Sequence, residues 1–207
     1  MPSLLIPESE PDRNDPVRWG TRFGGRPLST RDDFAWPACR SCDGNMQFLG
    51  QIQPEGSPDL LLLFMCQNDP GVCNEWDADG GANAVVAMAP GHAVDVCPPA
   101  SGLTERGTQY GAKIVSAPGA DYEAARIAWT NESDVPRPVL GQVGGAPYWL
   151  QGDETPVCDS CQTCMEFVAQ LEEGPDERTS MNFGGGGTAY IFRCASCSSN
   201  AKFLFQC

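Results

Sequence analysis

Eight of the eleven cysteines in this 207-residue chain fall into two sets of four. In the later set, Cys158-Asp159-Ser160-Cys161 precedes an apolar run from Met165 to Leu171, and a second run, Tyr190-Ile191-Phe192-Arg193, ends on Cys194-Ala195-Ser196-Cys197. Two C-x2-C pairs that flank strand-like segments bring four thiolates together where two knuckles meet, which is the donor set of a tetrahedral metal site. The earlier set is Cys39-Arg40-Ser41-Cys42 with Cys66 and Cys73, whose six-residue gap makes a looser second knuckle. Zn2+ suits four thiolates best, although iron of the rubredoxin kind also accepts them. A closed set leaves no coordination position for substrate, so two structural zinc ions per chain are expected. Cys164 forms an alternative C-x2-C with Cys161, but the spacing shared with the earlier set favours Cys158 and Cys161 as the ligands.

Other chemistry is thin, and no catalytic residue is assigned. His92 is the only histidine, no G-x-S-x-G elbow is present, and Cys97 is the one candidate nucleophile near it. Neither C-x2-C opens a helix after a strand, which argues against a thioredoxin-like dithiol. The run Gly184-Gly185-Gly186-Gly187 leads into Thr188-Ala189-Tyr190 without the Lys-Ser/Thr of a phosphate loop. Asp77-Ala78-Asp79-Gly80-Gly81 opens like a calcium loop but lacks its closing glutamate.

The elements that must position the cysteines read as short strands. Twenty-three glycines and 18 prolines predict many turns, hence a mainly β (α+β) chain. Met46 to Ile52 alternates as a strand, with Met46, Phe48 and Gly50 on one face and Gln47, Leu49 and Gln51 on the other. Leu60 to Met65 is an apolar run that feeds Cys66, Ala84 to Met88 and Ala112 to Val115 read as strands, and Tyr122 to Trp129 reads as a helix capped by Asp121.

The second half restates the first. Gly144-Gly145-Ala146-Pro147 answers Gly24-Gly25-Arg26-Pro27, and Trp149 answers Trp36. Met165-Glu166-Phe167-Val168-Ala169-Gln170-Leu171 answers Met46-Gln47-Phe48-Leu49-Gly50-Gln51-Ile52, each Met lying four residues beyond the second cysteine of its pair. The chain divides into an irregular arm (1–22), a first β-rich repeat (23–95), a connecting segment (96–140) and a second β-rich repeat (141–207). The two repeats are expected to pack as one globular unit.

Thirteen Lys and Arg against 27 Asp and Glu give a net charge of −14, which disfavours nucleic acid and anionic lipid and favours a basic protein partner. The carboxylates expected to contact such a partner are Glu75, Asp77 and Asp79 beside the first knuckle and Glu172, Glu173, Asp176 and Glu177 between the paired strands of the second half. The N-terminus lacks the basic and apolar regions of an export signal, and no apolar run spans a bilayer, so a cytoplasmic protein with reduced cysteines is expected.

Phe23-Gly24-Gly25-Arg26-Pro27, Trp36-Pro37 and Met46 to Ile52 resemble the opening of the bacterial YwqG-like family (domain of unknown function 1963). Gly144-Gly145-Ala146-Pro147-Tyr148-Trp149-Leu150, with Cys158, Cys161, Met165-Glu166-Phe167 and Gln170, also resembles the eukaryotic programmed cell death protein 2 group. The first resemblance implies a duplicated, mainly β fold with no established activity. The second implies a cysteine-rich chaperone that shelters a basic ribosomal protein. Together these readings predict a non-enzymatic, zinc-stabilised module that captures a basic protein or peptide on an acidic surface; a toxin-neutralising immunity protein and an enzyme with a cleft between the repeats are the alternatives.

Overall fold

The computed structural model describes residues 2–8, 19–132, 137–174, 176–177 and 180–207. Its elements are β1 (Ser3–Pro7), β2 (Arg22–Gly25), β3 (Leu28–Ser29), β4 (Gln47–Ile52), β5 (Leu60–Met65), β6 (Asn83–Met88), β7 (Val94–Asp95), β8 (Arg106–Ser116), α1 (Tyr122–Asn131), β9 (Gly141–Val143), β10 (Glu166–Glu172), β11 (Thr188–Arg193) and β12 (Ala201–Gln206). The protein is mainly β, built of two similar halves, each carrying one four-cysteine group. Among the described residues no helix is long and apolar enough to cross a membrane.

Ten strands form one antiparallel sheet in the order β12-β11-β10-β9-β1-β8-β2-β4-β5-β6, and β3 pairs with β7 beside it. The sheet curls until its end strands meet, where Phe205 N of β12 donates to the Trp76 carbonyl at 3.2 Å. Lys202 of β12 reinforces this seam, reaching Asp79 of the first half at 2.5 Å and Asp159 of the second at 2.8 Å. The nearly closed sheet encloses Leu5, Phe23, Leu49, Ile52, Leu63, Leu171, Ile191 and Phe203.

The strand order is palindromic. β2, β4, β5 and β6 stand to β8 as β9, β10, β11 and β12 stand to β1. Arg22 pairs with Gly111 as Gln142 pairs with Leu4. The same relation carries Leu5↔Ile114 onto Pro7↔Ala112, while Ile6↔Lys113 maps onto itself and marks the pseudo-two-fold axis. The fifth strand of the second half therefore comes from the beginning of the chain.

Two expectations about segments change accordingly. The arm 1–22 is not irregular at Ser3–Pro7, which lies at the centre of the sheet; residues 9–18 of it lie outside the described residues. Leu4-Leu5-Ile6 carries no alternation because both faces are covered, Leu5 by the interior and Leu4 and Ile6 by α1. The segment 96–140 is more than a connection, since it contributes the 11-residue β8, bonded to β2 on one edge and β1 on the other. The helix in that segment forms as expected, with Asp121 accepting from Ala124 N at 2.9 Å.

The alternation read over Met46–Ile52 is broken by a bulge between Phe48 and Gly50, so Leu49, Gly50 and Ile52 turn inward while Phe48 and Gln51 face out. A matching bulge lies between Phe167 and Ala169 in β10. The paired glycines also match: Gly24, Gly25, Gly144 and Gly145 have φ of 67°, 67°, 68° and 76°. At Gly24 a Cβ would lie 1.8 Å from the Thr108 carbonyl oxygen, so glycine is required by both conformation and space.

Candidate metal centres

Each cysteine group is assembled by the same local folding. In the first, Cys39 N donates to Gly44 O at 2.8 Å, Asp43 N to Cys39 O at 2.9 Å and Met46 N to Pro37 O at 3.0 Å. In the second, Cys158 N donates to Thr163 O at 2.9 Å, Gln162 N to Cys158 O at 2.9 Å and Met165 N to Pro156 O at 2.9 Å. Both turns need a left-handed residue, supplied by Asp43 (φ 56°) and Gln162 (φ 59°), and both are pinned by a single bridge, Ala38↔Asn45 and Val157↔Cys164. These knuckles aim two thiols back at the cysteines that follow β5 and β11.

The structure brings together the eight cysteines singled out by spacing. The sulfurs of Cys39, Cys42, Cys66 and Cys73 lie within 4.8 Å of one another, as do those of Cys158, Cys161, Cys194 and Cys197. Cys42 Sγ is 3.7 Å from Cys66 Sγ and Cys161 Sγ is 3.5 Å from Cys194 Sγ. A disulfide requires about 2.05 Å. A tetrahedron built on a metal–sulfur bond of about 2.3 Å has an edge of about 3.8 Å. All eight thiols are free, and the spacing, number and softness of the donors fit a thiolate-bound ion in each group. Cys164 is exposed and outside the second group, as are Cys97 and Cys207.

The surroundings also suit thiolates. Backbone N–H groups reach sulfur from Ser41 to Cys39 at 3.4 Å and from Cys197 to Cys194 at 3.2 Å. Asn68 Nδ2 donates to Cys66 at 3.4 Å, and Asn200 Nδ2 to Cys158 at 3.3 Å. The Asn200 amide holds the Cys158 thiol down at about 6, the Thr163 hydroxyl lowers Cys161, and the Gly44 backbone N–H lowers Cys42. Burial raises Cys66 and Cys73, and the neighbouring Cys161 pushes Cys197 up to about 12. Each group thus sets at least one thiol with a lowered pKa beside at least one with a raised pKa, and a divalent cation would displace the proton of the latter.

Aromatic rings back both groups. Trp36 packs edge-on to Phe64 at 5.3 Å, and Trp149 stacks on Phe192 at 5.9 Å, so the matched tryptophans occupy matched places. Phe48 is fully buried against Phe64, while its counterpart Phe167 is only half-buried.

The asparagines were not legible from spacing. Asn68 follows Cys66 by two residues and Asn200 follows Cys197 by three, so no common motif carries them. His92 and Cys97 are both exposed, and no hydrogen bond joins them among the described residues; Cys97 Sγ lies 3.9 Å from the Pro98 carbonyl.

Several of the carboxylates expected to contact a partner are used internally. Glu75 is 4% exposed and accepts from Gly71 N, Asp77 accepts from Asp79 N at 2.8 Å, and Asp79 pairs with Lys202. Glu172 accepts from Tyr122 OH at 2.5 Å and lies 3.6 Å from Arg126. Among the described residues Glu173 accepts from Ser180 Oγ at 3.2 Å and from the backbone N–H groups of Gly186 and Gly187.

No family model matches the chain. Over 67 residues it is 34% identical to an uncharacterized protein of Salmonella typhimurium, YpfL; the matched stretch is 32% of this chain and 15% of that protein. The chain therefore spans only a small part of that relative's length.

Proposed function

We propose that this chain is a zinc-stabilised protein-binding module, without an active site of its own, that holds a basic protein or peptide in the manner of a chaperone. The observation that carries this reading is the closure of both thiolate groups: four donors converge in each, so a bound ion has no open position for substrate and serves the fold. The lack of an assembled nucleophile and base around His92 and Cys97, and the net charge of −14, support a binding role and a cationic partner. Resemblance to the programmed cell death protein 2 group points the same way. Zinc is preferred over iron because a structural tetrathiolate needs no redox partner.

The test is affinity capture from native lysate at about 0.1 M and about 1 M salt, where the screening length falls from about 10 Å to about 3 Å. Basic proteins retained at the lower salt and released at the higher support the reading. Partners that are acidic, or held equally at both salts, overturn it.

A further inference from the structure

The chain leaves its two cysteine groups differently. Beyond Cys197 it passes through residues 198–200 straight into β12, whereas residues 74–82 separate Cys73 from β6. Both ends of this longer loop are tied to the first group. Ser41 Oγ donates to the Cys73 carbonyl at 3.1 Å, Arg40 N to the Gly81 carbonyl at 2.9 Å and Cys66 N to the Ala82 carbonyl at 2.7 Å.

The middle of the loop is tied to the second group. Ala78 packs against the apolar cluster that contains Cys158, Tyr190, Phe192 and Cys194. Beside it, Asp79 is held by Lys202 of β12, whose ammonium group has three protons and three acceptors: Asp79 Oδ1 at 2.5 Å, Asp159 Oδ1 at 2.8 Å and the Val157 carbonyl at 2.9 Å. Asp159 lies between Cys158 and Cys161, and Val157 directly precedes Cys158. The Lys202 side chain is only 10% exposed, and a cation so covered is costly to leave unpaired.

Ligand assembly around an ion orders the turns that carry the ligands. In the second group that ordering fixes Val157 and Asp159 where Lys202 needs them. Lys202 then holds the loop that begins at Cys73, the last ligand of the first group. The conformational entropy lost in ordering this shared loop is lost once, so the ion that binds second finds it already in place.

We infer that the two metal centres fill cooperatively, with the 74–82 loop and Lys202 carrying the loading of one centre to the affinity of the other. The inference rests on the reading of both cysteine groups as metal centres. Coupling between two binding sites is reciprocal, so each ion raises the affinity for the other by the same factor, here about fivefold or more.

The probe is Zn2+ titrated into the full-length, reduced, metal-free protein against a chromophoric chelator. Cys194→Ser disables the second centre and should weaken Zn2+ at the first at least about fivefold, and Cys66→Ser should weaken the second by the same factor. In a Lys202→Met background neither cysteine substitution should alter the surviving centre further. Lys202→Met leaves behind Asp79 and Asp159, whose side chains are 66% and 80% exposed, so it strands no buried charge. Native mass spectrometry of partly loaded protein gives a second reading with every cysteine intact. The product of the metal-free and two-zinc populations, divided by the square of the one-zinc population, should fall at least about fivefold from wild type to Lys202→Met. A ratio unchanged by Lys202→Met overturns the inference, and this ratio decides if a cysteine variant misfolds. A first centre indifferent to the loss of the second also overturns it and leaves the reading of two metal centres standing. Equal weakening by Cys194→Ser in the wild-type and Lys202→Met backgrounds overturns the route through Lys202. A protein that takes up no metal overturns both the coupling and the centres.

Discussion

Arg193 of one half reaches Asp59 of the other, with Nη2 2.5 Å from Oδ2, while its Nε donates to the Ser198 carbonyl at 2.7 Å. Its Nη1 donates to Ser57 Oγ at 3.3 Å. Arg193 directly precedes Cys194, and Ser198 directly follows Cys197, so one guanidinium couples the second knuckle of the later cysteine group to the turn before β5. Its side chain is 16% exposed and that of Asp59 23%, which places the pair between a screened surface bridge and a buried one.

Arg193→Met should accordingly cost about 2 kcal/mol in urea unfolding, the scale of hydrogen bonds to a charged group. Asp59→Asn should cost less, because the Ser57 and Ser198 contacts survive. A double-mutant cycle should give a coupling of about 1 kcal/mol; strictly additive losses would mean that the contact carries no coupling between the halves.

Metal analysis of protein purified without chelator should find about two zinc ions per chain, one for each thiolate group. Cys158→Ser or Cys194→Ser should remove one of them and lower stability sharply, because ligand assembly is coupled to folding. Cobalt substitution should produce the thiolate-to-metal absorption of a sulfur-only site. Metal-free protein that still unfolds cooperatively at the same urea concentration would remove the structural role.

Tyr190 gives a pH-dependent test of the 148–150 segment. Its hydroxyl donates to Tyr148 O at 2.9 Å and accepts from Leu150 N at 3.0 Å, and burial pushes its pKa up to about 12 from the ordinary 10.0. A phenol raised in the folded state favours folding in its neutral form; that contribution is whole below pH 10 and lost as pH rises through about 12. Tyr110 is pushed up to about 12 by the same cause. Urea stability should be flat between about pH 8 and 9 and fall between about pH 10 and 12. Tyr190→Phe should cost about 1–2 kcal/mol at pH 8 and show a shallower alkaline decline.

The cysteine groups were legible because a tetrahedral site imposes spacing, and Cys158-x2-Cys161 with Cys194-x2-Cys197 states that spacing outright. The helix after Asp121 was legible because its cap is local. β1 was not, since Leu4-Leu5-Ile6 is covered on both faces and carries no alternation, and its partners β8 and β9 lie over a hundred residues away in sequence. The inward turn of Leu49 was hidden for a different reason: a bulge shifts the phase of alternation without any residue type that announces it. The use of Asp79 depends on Lys202, over a hundred residues away in sequence, a tertiary arrangement that composition does not encode.

The bulges of the two halves carry a compensating pair that tests the duplication at the level of packing. Beside the bulge in β4, Phe23 pairs with Gly50; beside the bulge in β10, Val143 pairs with Ala169. A Cβ on Gly50 would lie 2.6 Å from Phe23 Cδ1 and 2.7 Å from the Arg22 carbonyl oxygen, so the large ring and the missing side chain belong together. Gly50→Ala alone should cost about 1–3 kcal/mol through overpacking. Phe23→Val alone removes most of a fully buried ring that also packs on Tyr110 at 5.4 Å, and should cost about 3 kcal/mol. The double substitution installs the second half's pair in the first, where the smaller side chain removes the 2.6 Å contact of the ring and leaves only the backbone contacts of Arg22 and Phe23 to be relaxed. Its cost should therefore fall below the sum of the single costs by at least about 1 kcal/mol, measured by urea unfolding. Additive costs would mean that the clash at Gly50 is set by the Arg22 backbone rather than by the ring, and that the two halves solved the same bulge independently.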